Sequence, residues 1–323
     1  MMFQCRTSFY ILLLILLASC RKDWIQPEVS VSSVATGVTL KAVCFLDPVT
    51  GFVSGGQFEE QGYIYKTYDG GDTWENVFTA DWSVNDVRFL SGTVGYACGD
   101  SLHILKTTDQ GQTWELMPLS WYPYEEYLLP LKHIEFANDT TWYFTGGRYY
   151  QYGINVRTQY AGSWWDNEVF QVELNTSYFR DGNHGLLAGY GIIYKTPDAN
   201  VTFIPEEFEG DNITSLSFPD PDRGMACGFN GGVYSTEDGG ETWNTLVKPN
   251  GYFGHRIHFN AVRFTGENAM VVGDDGVVYY SSSSGRSWSP VDAGTGNDLN
   301  GIDFMGGQYL VVGTDGTFLR IRI

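Results

Sequence analysis

TYDGGDTW (67–74), TTDQGQTW (107–114), STEDGGETW (235–243) and SSSSGRSW (281–288) are one motif written four times. Each is a glycine-bearing turn that delivers a Thr or Ser and then a Trp into an alternating apolar stretch. Trp74 and Trp114 lie 40 residues apart, as do Asp198 and Asp238. A fixed period of this length means one supersecondary unit used repeatedly, so the motif decides the fold before any single residue is considered.

Working outward from the turns, an apolar strand ending in Phe recurs as LKAVCF (40–45), VNDVRF (84–89), LKHIEF (131–136), LNTSYF (174–179), ITSLSF (213–218), FNAVRF (259–264) and LNGIDF (299–304). A second strand ends at Gly, as in GYACG (95–99) and YLVVG (309–313), and a third runs into the turn, as in YIYKT (63–67) and IIYKT (192–196). Period-two alternation rich in Val, Ile, Tyr and Phe is the strand signature. Asn230-Gly231, Asp275-Gly276 and Asp315-Gly316 sit where tight hairpins need positive φ. The expectation is an all-β chain: a single seven-bladed β-propeller of four-stranded antiparallel blades over 39–323. The last unit stops at FLRIRI (318–323) without a fourth strand. An N-terminal strand from the segment 20–38 is expected to complete it and remove exposed edges. The third unit is the irregular one: GINVRTQYAGSWWD (153–166) keeps a Trp and loses the Asp.

The motif TxDGGxTW is similar to the Asp-box, or bacterial neuraminidase repeat. The longer unit GYIYKTYDGGDTWENV (62–77) resembles repeats of the photosystem II assembly and stability factor-like propellers. The resemblance implies that Asp69, Asp109 and Asp238 accept backbone hydrogen bonds inside their turns, and that Trp74, Trp114 and Trp243 pack between blades. The fourth unit departs, with Phe203 in the Trp place, and the sixth has Ser283 for Asp. A chaperone-like or scaffold role is implied. Asp-boxes also occur in sialidases, other glycoside hydrolases and sorting receptors, so the box indicates architecture more than chemistry.

Residues 1–19 read as a lipoprotein signal peptide: Arg6, an apolar run from Phe9 to Leu17, and Leu17-Ala18-Ser19-Cys20 as a lipobox. The run is too short to span a bilayer. Cys20 is the expected lipidation site, followed by a short tether within 20–38, and Arg21 favours the bacterial outer membrane. The chain carries a net charge of −19, which becomes −20 on losing Arg6 with the signal. That balance argues against nucleic acid, whose affinity comes from Lys and Arg on phosphates. Cys44, Cys98 and Cys227 fall inside strands of different units, with no spacing that suggests disulfides or zinc.

Three long segments mark a candidate binding face. Residues 116–130 carry Trp121, Tyr122, Tyr124 and Tyr127; residues 146–153 carry Arg148, Tyr149, Tyr150 and Tyr152; residues 247–259 carry Tyr252, Phe253, His255 and Arg256. Tyr and Trp offer stiff contact area with a polar handle, suited to a protein partner or a sugar ring. Arg88 and Arg263 share a first-strand position near the central channel, where each is expected to pair with a carboxylate such as Asp86 or Glu135. A sialidase would need an arginine triad and a Tyr–Glu pair, and FRDG (179–182) sits mid-chain instead of before the first box. The reading is a monomeric, lipid-anchored propeller without catalytic residues, metal or cofactor. It would bind a protein partner at the envelope and touch the membrane only through its anchor. The alternative is a glycan-binding or sialidase-like protein.

Overall fold

The computed structural model describes residues 27–119, 128–199, 201–249 and 257–323. All strand pairing within them is antiparallel, and the architecture is an all-β propeller. Five four-stranded blades comprise Leu40–Phe45 to Glu75–Ala80, Val84–Phe89 to Glu115–Leu116, Leu131–Phe136 to Trp164–Phe170, Phe259–Thr265 to Ser289–Pro290, and Leu299–Met305 to Thr317–Arg322. The outer strand of the last blade is Glu28–Ser33, which runs against Thr317–Arg322 with Val31 opposite Leu319.

The remaining strands correct the expected seven-bladed ring. Leu174–Phe179, Gly185–Thr196, Ile204–Ser217, Gly224–Gly228, Val233–Thr236 and Asn244–Val247 form one six-stranded sheet. Its long strands show why. The turn at Gly191 (φ +71°) is so tight that 185–196 stays extended on both sides of it. The link through Gly210 is equally short, and Tyr190 pairs with Asn212 across the junction. The fourth and fifth repeats therefore share hydrogen bonds where longer loops separate the others. The third unit, by contrast, is a complete four-stranded blade.

Cores lie between neighbouring sheets. Trp114 packs edge-on against Phe89 of its own blade and Phe52 of the preceding one, at 6.0 and 6.4 Å between ring centroids. Trp74 does the same with Phe45 and Phe318, and Trp243 with Phe218 and Phe208. The turn leading to each Trp is held by its Asp. Thr73 N donates to Asp69 Oδ1 at 2.9 Å and Thr73 Oγ1 to Oδ2 at 2.6 Å; Thr113 with Asp109 and Thr242 with Asp238 repeat this. Cys44, Cys98 and Cys227 are free thiols, and burial pushes the Cys44 and Cys227 thiols up to about 12.

Candidate functional site: the channel and its tyrosine-bearing rim

Every inner strand carries a β-bulge at its second residue: the pairing slips between Leu40 and Ala42, Val84 and Asp86, Leu131 and His133, and at the equivalent places further on. A bulge re-aims a side chain, and here it turns the second residue toward the next sheet. Asn85 Nδ2 donates to Leu131 O at 2.8 Å, Asn175 Nδ2 to Ile213 O at 2.9 Å, Asn260 Nδ2 to Leu299 O at 3.1 Å and Asn300 Nδ2 to Leu40 O at 2.9 Å. Thr214 Oγ1 does likewise with Phe259 O. The Gly that ends each second strand faces this bulge. A Cβ on Gly55 would lie 2.1 Å from Thr39 O, which only Gly avoids.

Lys41 and Lys132 hold the same position. Lys41 Nζ reaches Ser83 Oγ and Asn85 Oδ1, both at 2.8 Å. Lys132 Nζ reaches Asn175 Oδ1 at 2.8 Å and forms a short ion pair with Glu173. Burial lowers the Lys41 pKa to about 8, with Lys132 adding repulsion and Asp100 opposing both.

The second to fifth residues of the inner strands, Lys41, Lys132, Asp86 and Glu135 among them, line a cavity of about 230 Å³ along the channel. Several clasp the next sheet by accepting its amides. Asp86 Oδ2 accepts from Ile134 N at 2.9 Å, His133 Nδ1 from Ser177 N at 3.3 Å and Ser215 Oγ from Val262 N at 3.3 Å. One step along, Glu135 accepts from Phe179 N, Ser217 from Phe264 N and Asp303 from Phe45 N. Arg88 pairs with Asp86, which holds its guanidinium charged, and Arg263 pairs with Asp303, both at 3.2 Å. Desolvation raises the Glu135 carboxyl to about 7, and burial lowers His133 to about 4, so the latter is a neutral acceptor at physiological pH.

The candidate-face residues 148–152 form a hairpin on the same rim as Lys132. Tyr149 and Tyr150 are 63% and 60% exposed, and both adopt left-handed φ, +61° and +62°. Such conformations cost a bulky residue about 1–3 kcal/mol and persist only where the surroundings impose them. The restraint here is Glu173: its Oε2 accepts from Tyr150 N at 2.6 Å while its Oε1 holds Lys132. The Tyr150 ring rests 4.9 Å from Tyr190, and the Arg148 guanidinium lies 4.9 Å from the Tyr149 ring. Tyr152 is exposed beside them. Cys20, Trp121, Tyr122, Tyr124, Tyr127, Tyr252, Phe253, His255 and Arg256 lie outside the described residues. Among the described residues no group of three or more His, Cys, Asp or Glu side chains could hold a metal. The Glu173 strap, the Tyr190 partner and the second-position ring were missed in the sequence. The ring had a signal, since that position reads K, N, K, N, T, N, N down the aligned strands.

A family model described as photosynthesis system II assembly factor YCF48 matches residues 18–121 and 198–316. The chloroplastic photosystem II stability/assembly factor HCF136 of Arabidopsis thaliana is 26% identical over 95 residues, which is 28% of this chain and 20% of that protein. The photosystem II assembly lipoprotein Ycf48 of Synechococcus sp. (strain CC9902) is 29% identical over 80 residues, 24% of this chain and 23% of the relative. The matched stretches thus span a quarter or less of each relative's length. A solved structure described as YCF48 bound to D1 peptide superposes with a TM-score of 0.70 at 19% identity, covering 91% of this chain and 97% of the other. That likeness is one of fold.

Proposed function

Because this chain belongs to the photosynthesis system II assembly factor YCF48 family, we propose that it is a lipid-anchored, non-catalytic assembly platform that holds a segment of a partner protein against the rim bearing Tyr149, Tyr150 and Tyr190. The observation that carries this reading is the strapped hairpin. Two large, exposed aromatic side chains are held in a conformation they do not prefer, by a buried carboxylate that is itself pinned to the channel lysine. Stiff aromatics presented in advance lose little entropy on contact, which suits recognition. The hairpin lies in 122–197, between the two stretches that the family model matches. A family structure described with a bound peptide makes a protein segment the favoured occupant.

The proposal places 1–19 as signal peptide, Cys20 as the lipidated residue, the remainder of 20–38 as tether and outer strand, and 39–323 as propeller. A relative named as a lipoprotein is consistent with that anchor, and Arg21 makes the outer membrane the proposed address. Trp121, Tyr122, Tyr124, Tyr127, Tyr252, Phe253, His255 and Arg256 are proposed to extend the same contact surface.

A photo-crosslinking residue placed at Tyr149 or Tyr190 in the native envelope should capture a discrete protein partner. One placed at Tyr68, exposed in the outer turn that follows the strand Gly62–Thr67, should not. Equal capture from all three positions would remove the face from the argument, and turnover of a fluorogenic sialoside by the purified chain would replace the platform with the glycan-active alternative.

A further inference from the structure

The Lys41 ammonium is out of keeping with its neighbours. In the strands that begin at Val84, Leu174, Phe259 and Leu299, the equivalent bulge residue is an Asn that reaches the next strand's carbonyl with a neutral amide. An Asn at position 41 would make the same latch without bringing a charge into a partly buried site. The lysine makes hydrogen bonds only to neutral oxygens, Ser83 Oγ and Asn85 Oδ1, and forms no ion pair among the described residues. The carboxylate that most stabilises its charge, Asp100, is occupied elsewhere: it accepts from Glu59 N at 3.3 Å, Ser83 N at 3.3 Å and Asn85 Nδ2 at 3.2 Å. A half-buried cation with an unused donor and no carboxylate in direct contact costs free energy unless an anion completes it.

Lys132 places a second ammonium close enough to depress the first. Both line the 230 Å³ channel cavity, which has room for a small anion with a few waters. We infer that the channel mouth is a binding site for a small oxyanion, a carboxylate or phosphate, held between Lys41 and Lys132. Lys41 supplies a charge with no ion-pair partner among the described residues and the directed N–H. Lys132 adds long-range attraction while remaining tied to Glu173. The other titratable groups facing the cavity are Asp86, Arg88, His133, Glu135, Tyr178 and Arg263; Arg88 is paired with Asp86, and Arg263 with Asp303 in the adjoining wall. This site stands independently of the partner-holding reading, since it needs neither the tyrosines nor the anchor.

The test uses the full mature chain in detergent, with inorganic phosphate and malonate as probes and chloride at matched ionic strength as control. Either probe should raise the melting temperature at pH 7, with the stronger one identifying the oxyanion class. Lys41→Asn restores the residue found at the equivalent position of four other strands and should fold. It should weaken binding by about tenfold or more, the equivalent of one charge-assisted hydrogen bond. Lys132→Asn should weaken binding by less. Binding should fade as pH rises through about 8, where Lys41 loses its proton, whereas Lys41→Arg, which stays protonated, should bind at pH 9. The inference falls if neither probe stabilises more than chloride does, if Lys41→Asn binds phosphate as tightly as the native chain, or if the pH profile of Lys41→Arg matches that of Lys41.

Discussion

The outer turns and the channel wall are built from the same repeat and have opposite characters. At the turns, three units repeat one hydrogen-bond set almost to the tenth of an ångström: Thr73 N, Thr113 N and Thr242 N donate to Asp69, Asp109 and Asp238 at 2.9, 3.0 and 2.9 Å. Around the channel, equivalent positions clasp the next sheet with different chemistry. Asp86, His133 and Ser215 do it at one level, Glu135, Ser217 and Asp303 at the next, and Ala42, Ala261 and Gly301 offer no acceptor at all. Repetition at the turns makes a rigid frame. Variation along the channel makes a chemically uneven surface inside it, and only an uneven surface can select a ligand.

If the frame carries the stability, its removal should dominate any change in the channel. Trp114 is 8% exposed and fills the space between Phe52 and Phe89. Trp114→Ala should cost about 3–5 kcal/mol by loss of burial and creation of a cavity. Ser217→Ala in the channel removes one acceptor, for Phe264 N at 2.9 Å, and should cost about 1–3 kcal/mol. Chemical denaturation of both variants decides the order. A Trp114→Ala loss no larger than that of Ser217→Ala would mean the frame lies along the channel instead.

The two regions should also answer pH in opposite directions. Hydrogen bonds from the Thr73 side chain and amide, joined by Thr67, hold Asp69 down from 3.8 to about 2. A depressed carboxyl contributes stability that is complete above its unfolded value and is lost as pH falls from about 4 toward 2. Glu135 is displaced the other way, from 4.5 to about 7, by desolvation that Arg88 and the Phe179 amide only partly offset. The native state then holds a proton that the unfolded chain releases, so stability declines as pH rises from about 4.5 to 7 and stays lower above. Melting curves of Asp69→Asn should differ from the native chain mainly above pH 4, where the native carboxylate is worth most. Those of Glu135→Gln should show a gain above pH 7 and little change at pH 4. A Glu135→Gln variant without that gain at pH 8 would show the carboxyl ionises there without strain.

How much of this the sequence disclosed follows from the same contrast. Strands and turns are local patterns, and 40-residue spacing with Phe and Gly punctuation makes them readable; the long-range pairing of the N-terminal strand with the C-terminal one was legible because the last repeat lacks its fourth strand. The sheet count is not local. It depends on the hydrogen-bonded junction at Tyr190 and Asn212, where two short links leave no room for separation, and alternation of side chains encodes no such length. The third unit reads as irregular for a related reason. Its corner lacks Asp, yet Tyr160, Ala161 and Gly162 all take left-handed φ and Trp165 Nε1 donates to Gly162 O at 2.9 Å, so the turn closes by other means. At the rim, the exposed tyrosines were legible as composition. The strap that organises them was not, because Glu173 reaches the hairpin only through the folded contact between the third blade and the six-stranded sheet.

The smallest effect should come from repairing the corner of the frame that has Ser in the Asp place. In SSSSGRSW the Asp place is Ser283, whose Oγ accepts from Ser287 N and shares a hydrogen bond with Ser287 Oγ, both at 3.1 Å. A single hydroxyl thus does the work that two carboxylate oxygens do at Asp69, where they accept from Thr73 N, Thr73 Oγ1, Asp72 N and Thr67 Oγ1. Ser281 stands where Thr67 stands, and its Oγ already accepts from Gly285 N at 2.9 Å, as Thr67 Oγ1 accepts from Gly71 N. The backbone is therefore already in the required conformation, and Ser283→Asp adds charge-assisted acceptors without rearrangement. The expected gain is about 0.5–1 kcal/mol at pH 7, vanishing when the new carboxyl is protonated near pH 2. A Ser283→Asp variant no more stable than the native chain at pH 7 would show that the aspartates elsewhere set the geometry of their turns and contribute little energy of their own.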